Sequence, residues 1–116
     1  MSFSIQEVKT SKQKKEFVEL PFRIYKNNRF WVPPIKADEL KFMDQEHNPA
    51  MEFCDTKFWL AYRDDKVVGR MSAIINYKYN EKVGEKLGRF SRLEFFDDAE
   101  AFRKLMDTAI QWLKEK

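Results

Sequence analysis

Between Leu87 and Lys116 the hydrophobic period changes once, and that change does more than any other feature to limit what the chain can fold into. Phe90, Leu93, Phe95 and Phe96 supply the aromatic and large apolar side chains that suit a pleated, half-buried surface. From Phe102 onward, Leu105, Met106, Ala109, Ile110 and Leu113 recur at three- and four-residue steps, the spacing of one face of a helix. The junction is chemical as well as periodic. Asp97 is placed to cap the free N–H groups of the first turn, with Glu100 reaching back as in a capping box. A strand that feeds straight into a long helix predicts a sheet for both to lie on.

Upstream, Phe3, Ile5 and Val8 suggest a short first strand. Thr10 or Ser11 then caps a helix running through SKQKKEFVELPFRIYKNN, with Phe17, Leu20 and Ile24 on one side. Pro21 removes a backbone donor inside that pattern and predicts a kink or break. The prolines of RFWVPP push the residues before them out of the helical region, so Arg29 to Pro34 is expected to be extended, with Trp31 packing across the core. Between Ile35 and Cys54 the signals are weaker: a short helix over Ala37 to Met43 and a turn at His47-Asn48-Pro49. KFWLAYR and KVVGRMSAIIN, separated by Asp64-Asp65, read as a hairpin. The polar stretch Tyr77 to Lys86 is expected to connect that hairpin to the Leu87–Phe96 strand.

A chain of 116 residues has room for one compact domain. Its 22 basic and 19 acidic residues are interleaved and leave only +3, too mild a balance to indicate nucleic acid. With 3 Gly, 4 Pro and 16% aromatics the composition is that of a folded chain. Cys54 stands alone, which excludes an internal disulfide and fits a reducing compartment. No apolar run reaches bilayer length, and MSFSIQEVKTSKQKK lacks the apolar core of a signal peptide, so a soluble cytoplasmic domain is expected.

The order strand, one or two helices, three antiparallel strands, helix defines an α+β architecture. The segments LPFRIYKNNRFWVPP, NPAMEF, FWLAYRDDKVVGRMSAIIN and LEFFDD resemble the N-terminal half of the GNAT N-acetyltransferase fold, and in particular a bacterial GNAT-like branch of uncertain substrate. The resemblance implies an acyl-CoA cosubstrate, acetyl-CoA, lying against the end of the Leu87–Phe96 strand with its pyrophosphate over the start of the next helix. The positions that would meet it are Leu93, Phe95, Phe96, Asp98, Ala99 and Ala101. Two departures bear on that expectation. The glycine-rich phosphate loop of the family, Gln/Arg-x-x-Gly-x-Gly/Ala, is replaced by Asp97, Asp98, Ala99, Glu100 and Ala101, whose carboxylates either cap the helix alone or frame a modified CoA site. The family fold also continues past this helix with further strands, whereas the chain stops at Lys116. Residues 1–116 are therefore read as a single, incomplete GNAT-like domain, and its unfinished sheet edge predicts a homodimer.

Acetyl transfer to an amine needs a base for the ammonium proton and donors for the thioester oxygen. Glu94 is the candidate base, with burial between Leu93 and Phe95 as a means of raising its pKa; the alternative is an outward carboxylate paired with Arg92 or Lys86. The backbone N–H groups of Phe95 and Phe96 are the candidate thioester donors. His47 has no partners at metal-ligand spacing, and Cys54 reads as a packed thiol. Tyr62, Tyr77 and Tyr79 are either groove-lining or packing residues, and Gly69 before Arg70 indicates a bulge or close approach. The sequence thus points to an acyl-CoA-dependent N-acyltransferase, or a fragment of one, acting on a small-molecule or peptide amine. The alternatives are a non-catalytic assembly module that has lost the phosphate loop, and a nucleic-acid binder using Lys78, Lys82, Lys86, Arg89 and Arg92 with Tyr79 and Phe90 as stacking surfaces. The acidic corner argues against the last.

Overall fold

A computed structural model describes residues 3–44, 48–96 and 98–116. In chain order the elements are β1 (Phe3–Glu7), α1 (Ser11–Ile24), α2 (Lys36–Met43), a short 3-10 turn (Pro49–Glu52), β2 (Cys54–Arg63), β3 (Lys66–Asn76), α3 (Tyr77–Val83), β4 (Arg89–Phe95) and α4 (Ala99–Glu115). The strands form one antiparallel sheet in the order β1-β2-β3-β4, which leaves β4 as an outer strand among the described residues. The expected α+β order is the order found, with α3 added.

The β2–β3 hairpin is the centre of the sheet. Asp64 and Asp65 have φ of 52° and 70°, the left-handed pair that a two-residue turn needs to match strand twist. Alternation along the strands splits the core in two. Trp59, Met71 and Ala73 face Leu105, Ala109 and Trp112 of α4, with the indoles of Trp59 and Trp112 edge to face at 5.9 Å. Phe58, Leu60 and Val67 face the other way, onto Phe17 and Leu20 of α1 and Met43 of α2. Each such large side chain contributes about 1.5–3 kcal/mol when fully buried, so both faces of the sheet need their helices.

Thr10 caps α1 in a reciprocal capping box: its hydroxyl accepts from Gln13 N at 3.1 Å while Gln13 Oε1 accepts from Thr10 N at 3.0 Å. Pro21 does not break α1, which contains it and ends three residues later at Ile24. Trp31 is not in either core cluster. The chain turns at residues 25–27, and Trp31 folds back onto Phe22 and Tyr25, with ring centroids 5.1 and 5.2 Å away. Arg29 and Phe30 form a turn, so RFWVPP is not extended throughout, and its remainder has no regular secondary structure. The stretch after β3 is a helix where a plain connection was expected. Asn76 caps it through Tyr79 N at 2.9 Å, and Gly84, at φ 70°, ends it in the left-handed conformation that glycine adopts without steric cost.

α4 begins one residue later than its sequence suggests. Asp98 is the N-cap, its Oδ1 accepting from Ala101 N at 3.1 Å, and Glu100 turns away to Arg63 instead of reaching back. The expected cap Asp97 and the turn residue His47 lie outside the described residues. No helix among the described residues is long and apolar enough to cross a membrane.

Candidate active site at the β4 bulge

β4 does not pair evenly with β3. Arg70 stands opposite Glu94 and Ser72 opposite Ser91, so Arg92 and Leu93 together face Met71 alone. Arg92 takes a φ of 57° at this bulge, an uncommon conformation for a residue with a side chain. It is held by a two-pronged ion pair, Nε and Nη2 each 3.1 Å from the Glu39 carboxylate on α2, and its guanidinium lies 4.4 Å over the Phe42 ring. The bulge thus ties the outer strand to the α1–α2 layer.

Just past the bulge, the half-buried Glu94 projects toward the same layer. The hydroxyl of Tyr25, at the end of α1, donates to Glu94 Oε2. That hydrogen bond, with burial second, raises the Tyr25 pKa and keeps the phenol a donor. Arg70 lies across the strand pair, buried to 4% exposure. Its Nη1 donates to the Phe17 carbonyl at 2.7 Å and its guanidinium covers the Phe17 ring at 4.7 Å. Burial pulls the Arg70 pKa down to about 10, against the opposing pull of Glu94 and Glu39, so it is a cation at neutral pH. Its buried Nε has no hydrogen-bond partner among the described residues. Glu94 is therefore a carboxylate oriented by a phenol and faced by a buried cation, and it is not paired with Arg92 or Lys86.

Of the two candidate thioester donors, Phe95 N–H and Phe96 N–H, one faces outward. Phe96 N donates to Val68 O at 2.9 Å, so it is already used and cannot hold a thioester oxygen. Successive N–H groups on a strand point to opposite sides, which turns the Phe95 N–H away from β3 toward the open edge. Leu93 packs into the α4-side core, Phe95 is exposed against Phe102 with ring centroids 5.1 Å apart, and Phe96 lies on the other face beneath Arg23, whose guanidinium is 5.3 Å from its ring.

The start of α4 is occupied by the chain's own charges. Arg63 donates from Nε and Nη2 to Asp98 at 2.9 and 3.1 Å, and Nη2 reaches Glu100 Oε1 at 2.6 Å. These hydrogen bonds push the Arg63 pKa up, and that from Arg63, followed by the Ala101 N–H, holds the Asp98 carboxyl below the usual carboxylate range. Ala101 is buried and Ala99 exposed. With two carboxylates over the first turn, and with Asp98 on the Ala101 N–H that would otherwise be free, the corner as folded does not fit a pyrophosphate.

Other sequence candidates fall outside this cluster. Cys54 is half-buried, and burial followed by the Asp55 charge pushes its thiol pKa up, which disfavours the thiolate. Tyr62 reaches Glu16, Tyr77 donates to Asp55 at 2.5 Å, and Tyr79 lies beneath Arg89. Gly69 is a close approach, where an added Cβ would stand 3.0 Å from Leu105 Cδ1 and 3.2 Å from Phe95 Cβ. No group of metal-ligating side chains occurs among the described residues. A cavity of about 360 Å³ lies at the far end of β4 from Glu94, beside Leu87, Gly88 and Leu113. Tyr25, Arg63 and Arg70 were not singled out from the sequence as site residues. The one available signal was Pro21, which leaves the Phe17 carbonyl in need of a donor from elsewhere.

Comparison with known proteins agrees with the fold. The fold is that of a GNAT acetyltransferase: a crystal structure of a GNAT-family acetyltransferase from Staphylococcus aureus Mu50 matches 98% of this chain and 67% of its own, with TM-score 0.68 and 21% identity. Bacterial ceramide synthase of Caulobacter vibrioides is 28% identical over 114 residues, 97% of this chain and 30% of its own length. Protein YghO of Escherichia coli K12 is 28% identical over 102 residues, 88% of this chain and 26% of its own length. The chain thus spans between about a quarter and a third of the curated relatives it matches. No family model matches the chain.

Proposed function

We propose that this chain is the amine-deprotonating part of a GNAT-like N-acyltransferase, with Glu94 as the general base. The observation that carries the reading is the Tyr25–Glu94–Arg70 cluster beside the β4 bulge. Glu94 takes a proton from the attacking nitrogen; the C–N bond forms as the thioester C–S bond breaks, and the departing thiolate is protonated by solvent. Tyr25 keeps the carboxylate in one orientation, and the Phe95 N–H at the open edge is the donor for the thioester oxygen. The donor is an acyl thioester, acetyl-CoA or a longer acyl-CoA, lying along Leu93, Phe95 and Phe96. The corner of Asp98, Ala99 and Ala101 contributes no phosphate contact as it is folded. The likeness to a bacterial ceramide synthase adds lipid amines to small-molecule and peptide amines as acceptors.

Release of free thiol from acetyl-CoA and from a long-chain acyl-CoA, in the presence of amine, tests the reading. Glu94→Gln is expected to slow release by about 10²–10⁴-fold, and Tyr25→Phe by less, with both variants folded by circular dichroism. Thiol release no faster than buffer with either donor, together with a flat calorimetric titration, would sink it. That outcome favours a non-catalytic module, a reading supported by the carboxylates and Arg63 that occupy the phosphate corner.

A further inference from the structure

The segment that leaves α1 has an unusual surface. Phe30, Val32 and Ile35 are 81%, 86% and 67% exposed, the largest such values among the exposed large apolar side chains of the described residues. They sit on a built loop: Phe30 N donates to Asn28 Oδ1 at 2.9 Å, Trp31 N to Asn28 O at 3.3 Å, and the Trp31 ring is wedged against Phe22 and Tyr25. The charge around them has one sign. From Leu20 to Ala37 there is no acidic residue, while Arg23, Lys26, Arg29 and Lys36 are basic. Lys36 is paired with Glu19 at 2.8 Å, and the other three are exposed.

We propose that this loop docks the protein on an anionic lipid surface, with Phe30, Val32 and Ile35 entering the interface and Arg23, Lys26 and Arg29 meeting the headgroup charge. Apolar side chains ringed by cations are the two attractions that hold a peripheral protein on such a membrane. Two aliphatic tips distinguish the patch from a nucleic-acid platform, where flat rings would be needed to stack on bases. The lack of any carboxylate along the segment complements anionic phosphate. Docking stands on the loop alone and does not require the transfer reaction. Where both hold, the contact of Trp31 with Tyr25 sets Glu94 close to the membrane surface, where a lipid amine would be met.

Trp31 is a native reporter, since Trp59 and Trp112 are buried. The 116-residue chain would be mixed with phosphatidylcholine vesicles, with and without phosphatidylglycerol, and followed by co-sedimentation and by quenching of its emission with brominated-chain lipid. The expected result is binding to the anionic vesicles that weakens with salt, quenching of Trp31, and a loss of about tenfold or more in Phe30→Ser/Val32→Ser/Ile35→Ser. Arg23→Gln/Lys26→Gln/Arg29→Gln is expected to abolish the preference for anionic lipid. Absence of vesicle binding, equal binding by the apolar variant, or vesicle-free self-association that the apolar variant removes would each overturn the proposal, the last by making the patch a face between two copies. Should the triple variant fail to fold, Trp31 quenching in the parent protein decides: quenching supports docking and its absence refutes it.

Discussion

Arg70 Nη1 donates to the Phe17 carbonyl at 2.7 Å, and Phe17 is the residue whose carbonyl Pro21, four positions on, leaves without a helical donor. One buried cation thus replaces the missing N–H of a proline on a different element, which explains why α1 continues through Pro21.

The replacement can be measured. Arg70→Met is expected to destabilise the protein by about 1–3 kcal/mol, because it leaves a buried acceptor unsatisfied. Pro21→Ala restores the helical N–H, so in that background the same change is expected to be milder by about 1 kcal/mol. Denaturant unfolding of the four proteins in the cycle checks this, and identical penalties in both backgrounds would refute the link.

Asp98 makes the α4 start sensitive to acid. The Arg63 hydrogen bonds and then the Ala101 N–H hold its carboxyl below the usual range. A group whose native pKa is depressed stabilises the fold above its ordinary value and ceases to do so as the pH falls through the native one. Asp98→Asn keeps an N-cap side chain but loses the ionic partner of Arg63, and is therefore expected to lower stability at neutral pH by about 0.2–1 kcal/mol, with the gap closing toward strongly acidic pH. Melting temperatures across pH test this, and a gap that stays constant would show that charge is not involved.

The same corner sets a second expectation. Asp98→Ala/Glu100→Ala removes two carboxylates, frees Arg63 and exposes the Ala101 N–H, the elements of an anion site at a helix start. Free CoA measured by calorimetry is expected to bind the variant about tenfold more tightly than the parent. No gain would mean that the phosphates bind away from this corner.

Much of the fold could be read from local chemistry. The change of period after Phe96, the Asp64-Asp65 turn and the Thr10 cap act over a few residues, and each lies where the sequence places it. α3 escaped because its signals, Asn76 and Gly84, bracket a polar stretch with no apolar face to show a period. Trp31 was expected inside because it is large and apolar, yet it packs on Phe22 and Tyr25 at the end of α1. Glu94 was legible as a strand carboxylate in an apolar setting. Its partners were not, since Tyr25 is 69 residues away and meets it only when α1 lies on the sheet. Arg63 and Arg70 resemble ordinary alternating strand residues until the hairpin register aims one at the α4 start and the other beneath α1.

The outer position of β4 has a bearing on assembly. The Phe95 amide proton that faces away from β3 is the group that the proposed mechanism assigns to the thioester oxygen, and it is also one that a strand added from another molecule would use. In that mechanism, association along that margin and occupancy by the acyl donor compete for a single proton, so a dimer built there would be a form that cannot hold the thioester, and added donor would drive it apart.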